Sequence, residues 1–268
     1  MRITVDHRTT YRFDQPRRRV IQSHRLTPAS FDGQRVLSWE IAVEGGTEGA
    51  GFVDGAGDRI TTMSVTGPVD EITVEVSGAV ETADRSGVLR GHKETIAPLV
   101  YLRKTRMTAP GVALHALSDE VSGDQGGLDE AHALAGIVAD RIAYTPGATH
   151  SAMTASEALE LGRGVCQDHA QALIALARMR HIPARYVTGY LFSDAEGQAH
   201  EASHAWAELY VTDLGWVGFD PANRCCPDAR YIRIGSGLDA TDAAPIRGIS
   251  LGAGVESMDI SVSVQAQQ

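Results

Sequence analysis

The sequence predicts an α+β protein: an N-terminal all-β, sandwich-like domain, then a domain in which a helix packs on an antiparallel sheet. Three observations predict it. Apolar and polar residues alternate through roughly the first 80 positions, the two-residue period of a half-buried strand. Helical spacing takes over between Val112 and the residues before Pro183, and alternation returns after Pro183. The composition changes near residue 85, which divides the chain into a β domain, 1–85, and a second domain, 86–268.

Within the first domain, Ile3, Val5, Thr9, Tyr11 and Phe13 begin the alternation. Leu37, Trp39, Ile41 and Val43 continue it, as do Ile72, Val74 and Val76. Asp32-Gly33, Gly45-Gly46, Asp54 to Asp58 and Gly67-Pro68 read as the turns between strands. A β-sandwich or a curled antiparallel sheet satisfies this pattern. The short basic run Arg17-Arg18-Arg19 reads as a solvated loop. No group of residues suited to chemistry occurs here, so a structural or docking role is expected.

Ser86 to Pro110 reads as an irregular crossing segment. Helical periodicity is weak over Val112 to Val121 and clear from Asp129 to Ile142, where Leu134, Ile137, Val138 and Ile142 line one face. Thr154 and Glu157 form a capping-box pattern ahead of Ala155 to Leu161. A further helix opens at Cys166, with Ala170, Leu173, Ile174 and Ala177 on one face, and ends at His181-Ile182-Pro183. Arg185 to Leu191, Ala205 to Val211 and Trp216 to Asp220 then read as strands, and Met258 to Val264 as a last one.

Bulk properties exclude several classes. A net charge of −10 disfavours nucleic acid as a partner. No apolar run reaches the length of a membrane span. Met1 to His7 already alternates like a strand and lacks the apolar core of a secretory signal, which points to the cytoplasm. The three cysteines are too few for a disulfide framework, and the adjacent Cys225 and Cys226 bridge only with strain. No phosphate-binding glycine loop is present. Zinc ligation by the cysteines with His200 and His204 would lack paired ligand spacing. Neither cofactor nor metal is expected, and the sequence assigns no oligomeric state.

The chemistry concentrates on Cys166. A glycine-flanked turn, Gly162-Arg163-Gly164-Val165, runs into its helix and so places the thiol at a helix N-terminus, where the backbone dipole favours a thiolate. In the stretch 203–211, His204, Trp206, Glu208 and Tyr210 share one strand face. A hairpin turning near residues 212–213 brings His204 opposite residues 220–222, next to Asp220. A carboxylate on one ring nitrogen fixes the tautomer and aims the other nitrogen at a thiol. Cys166, His204 and Asp220 are thus the candidate nucleophile, base and orienting acid. Taken singly, each also fits a bland role: a buried small residue, a sheet histidine, a turn aspartate. Asp168 suits the free N–H groups of the first helical turn, and His169 suits packing, since it stacks along the helix instead of facing the sulfur.

Gly-Val-Cys-Gln-Asp-His-Ala at 164–170, Ile-Pro-Ala-Arg-Tyr-Val at 182–187, His-Ala-Trp at 204–206 and Gly-Trp-Val-Gly-Phe-Asp-Pro at 215–221 together resemble the bacterial transglutaminase-like superfamily. Tyr144 to Gly147 fits the same pattern, and the β-rich start resembles the N-terminal region of one bacterial branch. The resemblance implies a papain-like α+β core with Cys166 as nucleophile, His204 as base and Asp220 as orienting acid. It implies acyl transfer on an amide or peptide bond of a peptide or protein substrate, with hydrolysis the first expectation. Amine transfer to protein glutamine and a non-catalytic interaction module are the alternatives. Two positions depart from the family pattern: Ala222 stands where threonine is expected, and Gly235 to Ala240 lacks the arginine and tyrosine of a Gly-Arg-Asp-Tyr motif.

Overall fold

The computed structural model describes residues 1–121, 127–192 and 203–267. The N-terminal half is one antiparallel sheet built on two long strands, β1 (Arg2–Thr27) and β4 (Arg59–Thr82). Between them come β2 (Gln34–Val43) and β3 (Gly46–Val53), and both pair with β4. The ladder between β1 and β4 breaks register between Arg12 and Arg19, and the sheet buries apolar side chains in two patches. One antiparallel sheet on two long strands is the observed form of the all-β region, where the sequence predicts a sandwich-like domain or a curled sheet.

Two local readings change as a result. Gly67-Pro68 is not a turn between strands but an irregularity inside β4, where Gly67 packs so closely on the Arg17 carbonyl that a Cβ would have no room. Arg17 to Arg19 belongs to β1 and not to a loop. The Arg17 guanidinium is buried over the Phe13 ring and donates to the Gly254 carbonyl, while Arg18 and Arg19 face water.

After the crossing segment, which carries one 3-10 turn (Pro98–Leu102), helices dominate: α1 (Val112–Glu120) and α2 (Leu128–Arg141). The two-residue strand β5 (Ala143–Tyr144) follows. Next is α3 (Ala155–Leu161), closed by the expected capping box of Thr154 and Glu157 and ended by Gly162 in the left-handed region. The short β6 (Arg163–Gly164) pairs in parallel with β5 and feeds directly into α4 (Cys166–Met179). A second antiparallel sheet covers α4. It consists of β7 (Ala184–Leu191), β8 (His204–Val211), β9 (Gly215–Phe219) and β10 (Tyr231–Gly237), in spatial order β10-β7-β8-β9. Strand β10 went unread in the sequence because its Arg233, Gly235 and Ser236 break the apolar alternation.

The main core lies between α4 and one face of this sheet. Leu173, Ile174 and Ala177 meet Ala205, Ala207, Leu209 and Phe219 there, all removed from water. Small residues on β8 let the helix approach closely, so the start of α4 sits at the sheet end where β8 and β10 begin and β9 stops.

The chain then returns to its beginning. Strands β11 (Ile246–Leu251) and β12 (Glu256–Gln267) both pair antiparallel with β1. The division at residue 85 had left this tail with the second domain. The structure attaches it to the first, with Val262 and Val264 buried beside Ile3 and Val5. A pairing more than 200 residues apart in sequence leaves no local signature. The same apolar patch takes in Tyr190, Ile232 and Ile234 from the second sheet, so the two sheets share an interface.

Candidate active site

Four element termini converge at one end of the second sheet. Helix α4 contributes Cys166 from its first residue, β8 contributes His204 from its first residue, and Asp220 follows directly on β9. Strand β10 contributes Tyr231, again from its first residue. The hairpin register, with Ala207 opposite Phe219 and Val211 opposite Gly215, sets His204 beside the residues just after β9.

His204 is buried, and its Nε2 lies 2.6 Å from Asp220 Oδ2. Cys166 is half-buried and lies near enough to act electrostatically on the imidazole. Burial alone would discharge the ring. The interactions with Cys166 and Asp220 outweigh it and raise His204 from 6.5 to about 10. The imidazolium form of His204 is therefore favoured near neutrality.

Asp220 is held by more than the histidine. Its Oδ2 also accepts from Asn223 Nδ2 at 2.8 Å and from the Tyr231 hydroxyl at 2.8 Å. Its Oδ1 accepts the Asn223 backbone N–H at 3.3 Å. Burial would raise this carboxyl, but the donors and the His204 charge win and keep it below the usual carboxylate range. Neither Asn223 nor Tyr231 was picked out by sequence reasoning. Asn223 had a weak signal, since an amide three residues past an aspartate can close an Asx-type turn. Tyr231 had none, because β10 itself was unread.

Helix α4 is capped from within. Asp168 Oδ2 accepts the Val165 N–H at 2.8 Å and the Thr149 hydroxyl at 2.7 Å. Gly164 makes room for this: a Cβ there would press on the Asp168 carboxylate. Intrahelical bonds to the Val165 carbonyl begin only at the N–H groups of Asp168 and His169. The N–H groups of Cys166 and Gln167 thus have no acceptor inside the helix. His169 is buried away from the sulfur, with Nδ1 2.9 Å from the Val165 carbonyl and Nε2 2.8 Å from the Ile142 carbonyl. The stretch 145–153 lies beside α4, tied by Thr149 and by Gln167 Nε2 to the Ser151 carbonyl. His200 falls outside the described residues.

Cys225 and Cys226 are the other two thiols, both half-buried. Burial raises both, Cys226 to about 11, and Cys225 Sγ lies 3.3 Å from the Tyr231 hydroxyl. Among the described residues, no group of three or more His, Cys, Asp or Glu side chains could hold a metal ion.

Comparison with known proteins places this geometry. The profile of the transglutaminase-like superfamily matches residues 115–221, which contain Cys166, His204 and Asp220. The profile of the bacterial transglutaminase-like N-terminal region matches residues 3–81. An uncharacterized protein of Mycobacterium leprae is 30% identical over 275 residues, covering 98% of each chain. An uncharacterized protein of Mycobacterium tuberculosis is 37% identical over 131 residues, or 45% of this chain and 42% of the other. A crystal structure from Cytophaga hutchinsonii, provisionally assigned as a cysteine protease, has a TM-score of 0.75 at 21% identity and covers 100% of this chain and 92% of that one. The shared fold therefore spans both sheets.

Proposed function

The chain belongs to the transglutaminase-like superfamily, in the form that carries the bacterial N-terminal region, and on that premise we propose that it is a thiol-dependent acyl-transfer enzyme acting on amide or peptide bonds. Cys166 is the nucleophile, His204 the acid and base, and Asp220 the group that orients the ring. The observation that carries this reading is the convergence of three element ends, with the His204 ring 2.6 Å from the Asp220 carboxylate and in electrostatic reach of Cys166.

The steps follow from the resting charges. The Cys166 thiolate attacks the substrate carbonyl carbon, and the carbonyl oxygen takes the negative charge. The N–H groups of Cys166 and Gln167, free of intrahelical acceptors, are the natural donors to that oxyanion. His204 gives its proton to the departing nitrogen, the C–N bond breaks, and an acyl thioester remains on Cys166. The now neutral imidazole takes a proton from water, which attacks the thioester. The acid is released and the thiolate–imidazolium pair is restored. An amine in place of water would give a transamidated product by the same steps.

The test is a trapped intermediate. The protein is exposed to a pool of glutamine-containing peptides, quenched in acid and analysed by peptide mass spectrometry. A thioester adduct on Cys166 is expected, absent from Cys166→Ala. Free acid as the released product supports hydrolysis; incorporation of added amine supports transfer. No adduct at Cys166 from any peptide amide, with product still formed by Cys166→Ala, would remove the thiol from the reaction.

A further inference from the structure

We infer that Tyr231 is a positioning residue of this site: its phenol fixes the Asp220 carboxylate against the His204 ring. The inference rests on the proposed roles of Asp220 and His204 and adds the group that holds them in line.

The geometry carries it. The Tyr231 hydroxyl donates to Asp220 Oδ2 at 2.8 Å, the same oxygen that faces His204 Nε2 at 2.6 Å. An ionised carboxylate can only accept, so the phenol's one proton is committed to Asp220. The 3.3 Å contact with Cys225 Sγ must then have the thiol as donor. The chain thus extends from Cys225 through Tyr231 and Asp220 to His204. The phenol has little freedom to leave. Its ring is buried, lies edge-on to Trp206 with centroids 5.5 Å apart, and sits 5.9 Å from the His204 ring. Trp206 lies against the imidazole with an interplanar angle of 27°, so the two aromatic side chains flank the histidine.

The backbone reinforces the arrangement. Gln34, from the N-terminal sheet, bonds both the N–H and the carbonyl of Arg233, two residues along β10. Thr82 bonds the Ala229 carbonyl, two residues before Tyr231. The N-terminal sheet therefore grips the β10 segment that carries the phenol on both sides, which gives that sheet a part in aligning the site.

The titratable groups around Asp220 are His204 on β8, Tyr231 on β10, Cys225 in the intervening loop and, through the imidazole, Cys166 on α4. Removing one donor from a carboxylate raises its titration midpoint, here by about one pH unit. The experiment follows the Asp220 carboxyl by ¹³C NMR in wild type, Tyr231→Phe and Asn223→Ala, with Asp220→Asn to assign the signal. It also measures iodoacetamide alkylation of Cys166 at pH 6 by peptide mass spectrometry, with His204→Ala for comparison and Tyr190→Phe, a buried tyrosine of the sheet interface, as control.

Tyr231→Phe is expected to raise the Asp220 midpoint and slow Cys166 alkylation about tenfold, with Tyr190→Phe unchanged. Asn223→Ala, which removes another donor to Asp220 Oδ2, is expected to raise the midpoint in the same direction. Should Tyr231→Phe fold poorly, 3-fluorotyrosine at position 231, a more acidic phenol and stronger donor, is expected to lower the midpoint. An Asp220 carboxyl that titrates at the wild-type pH in the folded Tyr231 variant overturns the inference. So does unchanged alkylation in Tyr231→Phe where His204→Ala slows it. Alkylation indifferent even to His204→Ala overturns the functional reading itself, and the inference with it.

Discussion

At the scale of single residues, the three thiols differ in their surroundings. Cys166 faces an imidazole, while burial raises Cys225 and takes Cys226 up to about 11. The thiolate is the reactive form, so environment decides which sulfur reacts. Near neutral pH, limiting iodoacetamide is expected to label Cys166 well ahead of the other two, as read by peptide mapping. Equal labelling of all three would mean that the His204 contact does not activate the sulfur. Cys166, His204 and Asp220 were legible in the sequence because each stands where a period breaks: a helix start, a strand start, a strand end. Tyr231 was not, because its partner Asp220 lies across a loop and its strand carries buried arginine and glycine in place of apolar residues.

At the scale of elements, α4 depends on a cap supplied from its own first turn. Asp168 binds the Val165 N–H and also the Thr149 hydroxyl, so one carboxylate both starts the helix and ties the 145–153 loop to it. Asp168→Ala removes an N-terminal acceptor and strands a buried donor, a loss of about 2 kcal/mol. Urea unfolding is expected to show that loss, and hydrogen exchange is expected to quicken over 145–153. Unchanged stability and exchange would mean that the loop is held by other contacts. The helix itself was readable from its apolar spacing, and the Thr154 to Glu157 capping box from its four-residue pattern. Its true neighbours were not: Gly164 looks like turn punctuation in the sequence but serves to clear space for Asp168. The strands of the N-terminal half were legible as alternation. Their lengths were not, since β1 and β4 run straight through residues that usually end a strand.

At the scale of the whole molecule, buried charges join the two sheets. Glu208 on β8 pairs with Arg185 at 2.6 Å and with Arg233 at 2.9 Å. Arg233 continues to Asp58, which sits in the loop between β3 and β4 and also accepts the Ser236 N–H. Arg185 stacks over Trp216 and reaches Glu94 in the crossing segment. Burial would raise Glu208, but Arg233 and Arg185 outweigh it and hold the carboxyl down from 4.5 to about 2. A depressed carboxylate contributes stability above its unfolded value and loses it as pH falls through the folded one. Glu208→Gln leaves two buried guanidiniums underpaired and is expected to cost about 3–5 kcal/mol at pH 7. The gap from wild type is expected to narrow as pH falls from 4.5 towards 2, as read by chemical denaturation. A gap that stays constant across that range would show that the charge of Glu208 is not the stabilising feature. This network, and the return of β11 and β12 to β1, were invisible to local pattern because both join residues far apart in the chain. The N-terminal sheet is thereby built partly from the C-terminus and tied to the second sheet through Asp58, Arg233 and Glu208.

The central claim is a charged pair at Cys166 and His204, steered by Asp220. The most direct measurement is ¹⁵N NMR of the His204 ring at pH 8, between the free-histidine value of 6.5 and the raised value of about 10. An imidazolium with both nitrogens protonated is expected in wild type, and a neutral ring in Cys166→Ala. A neutral ring in wild type, or an imidazolium that persists without the sulfur, would contradict the account.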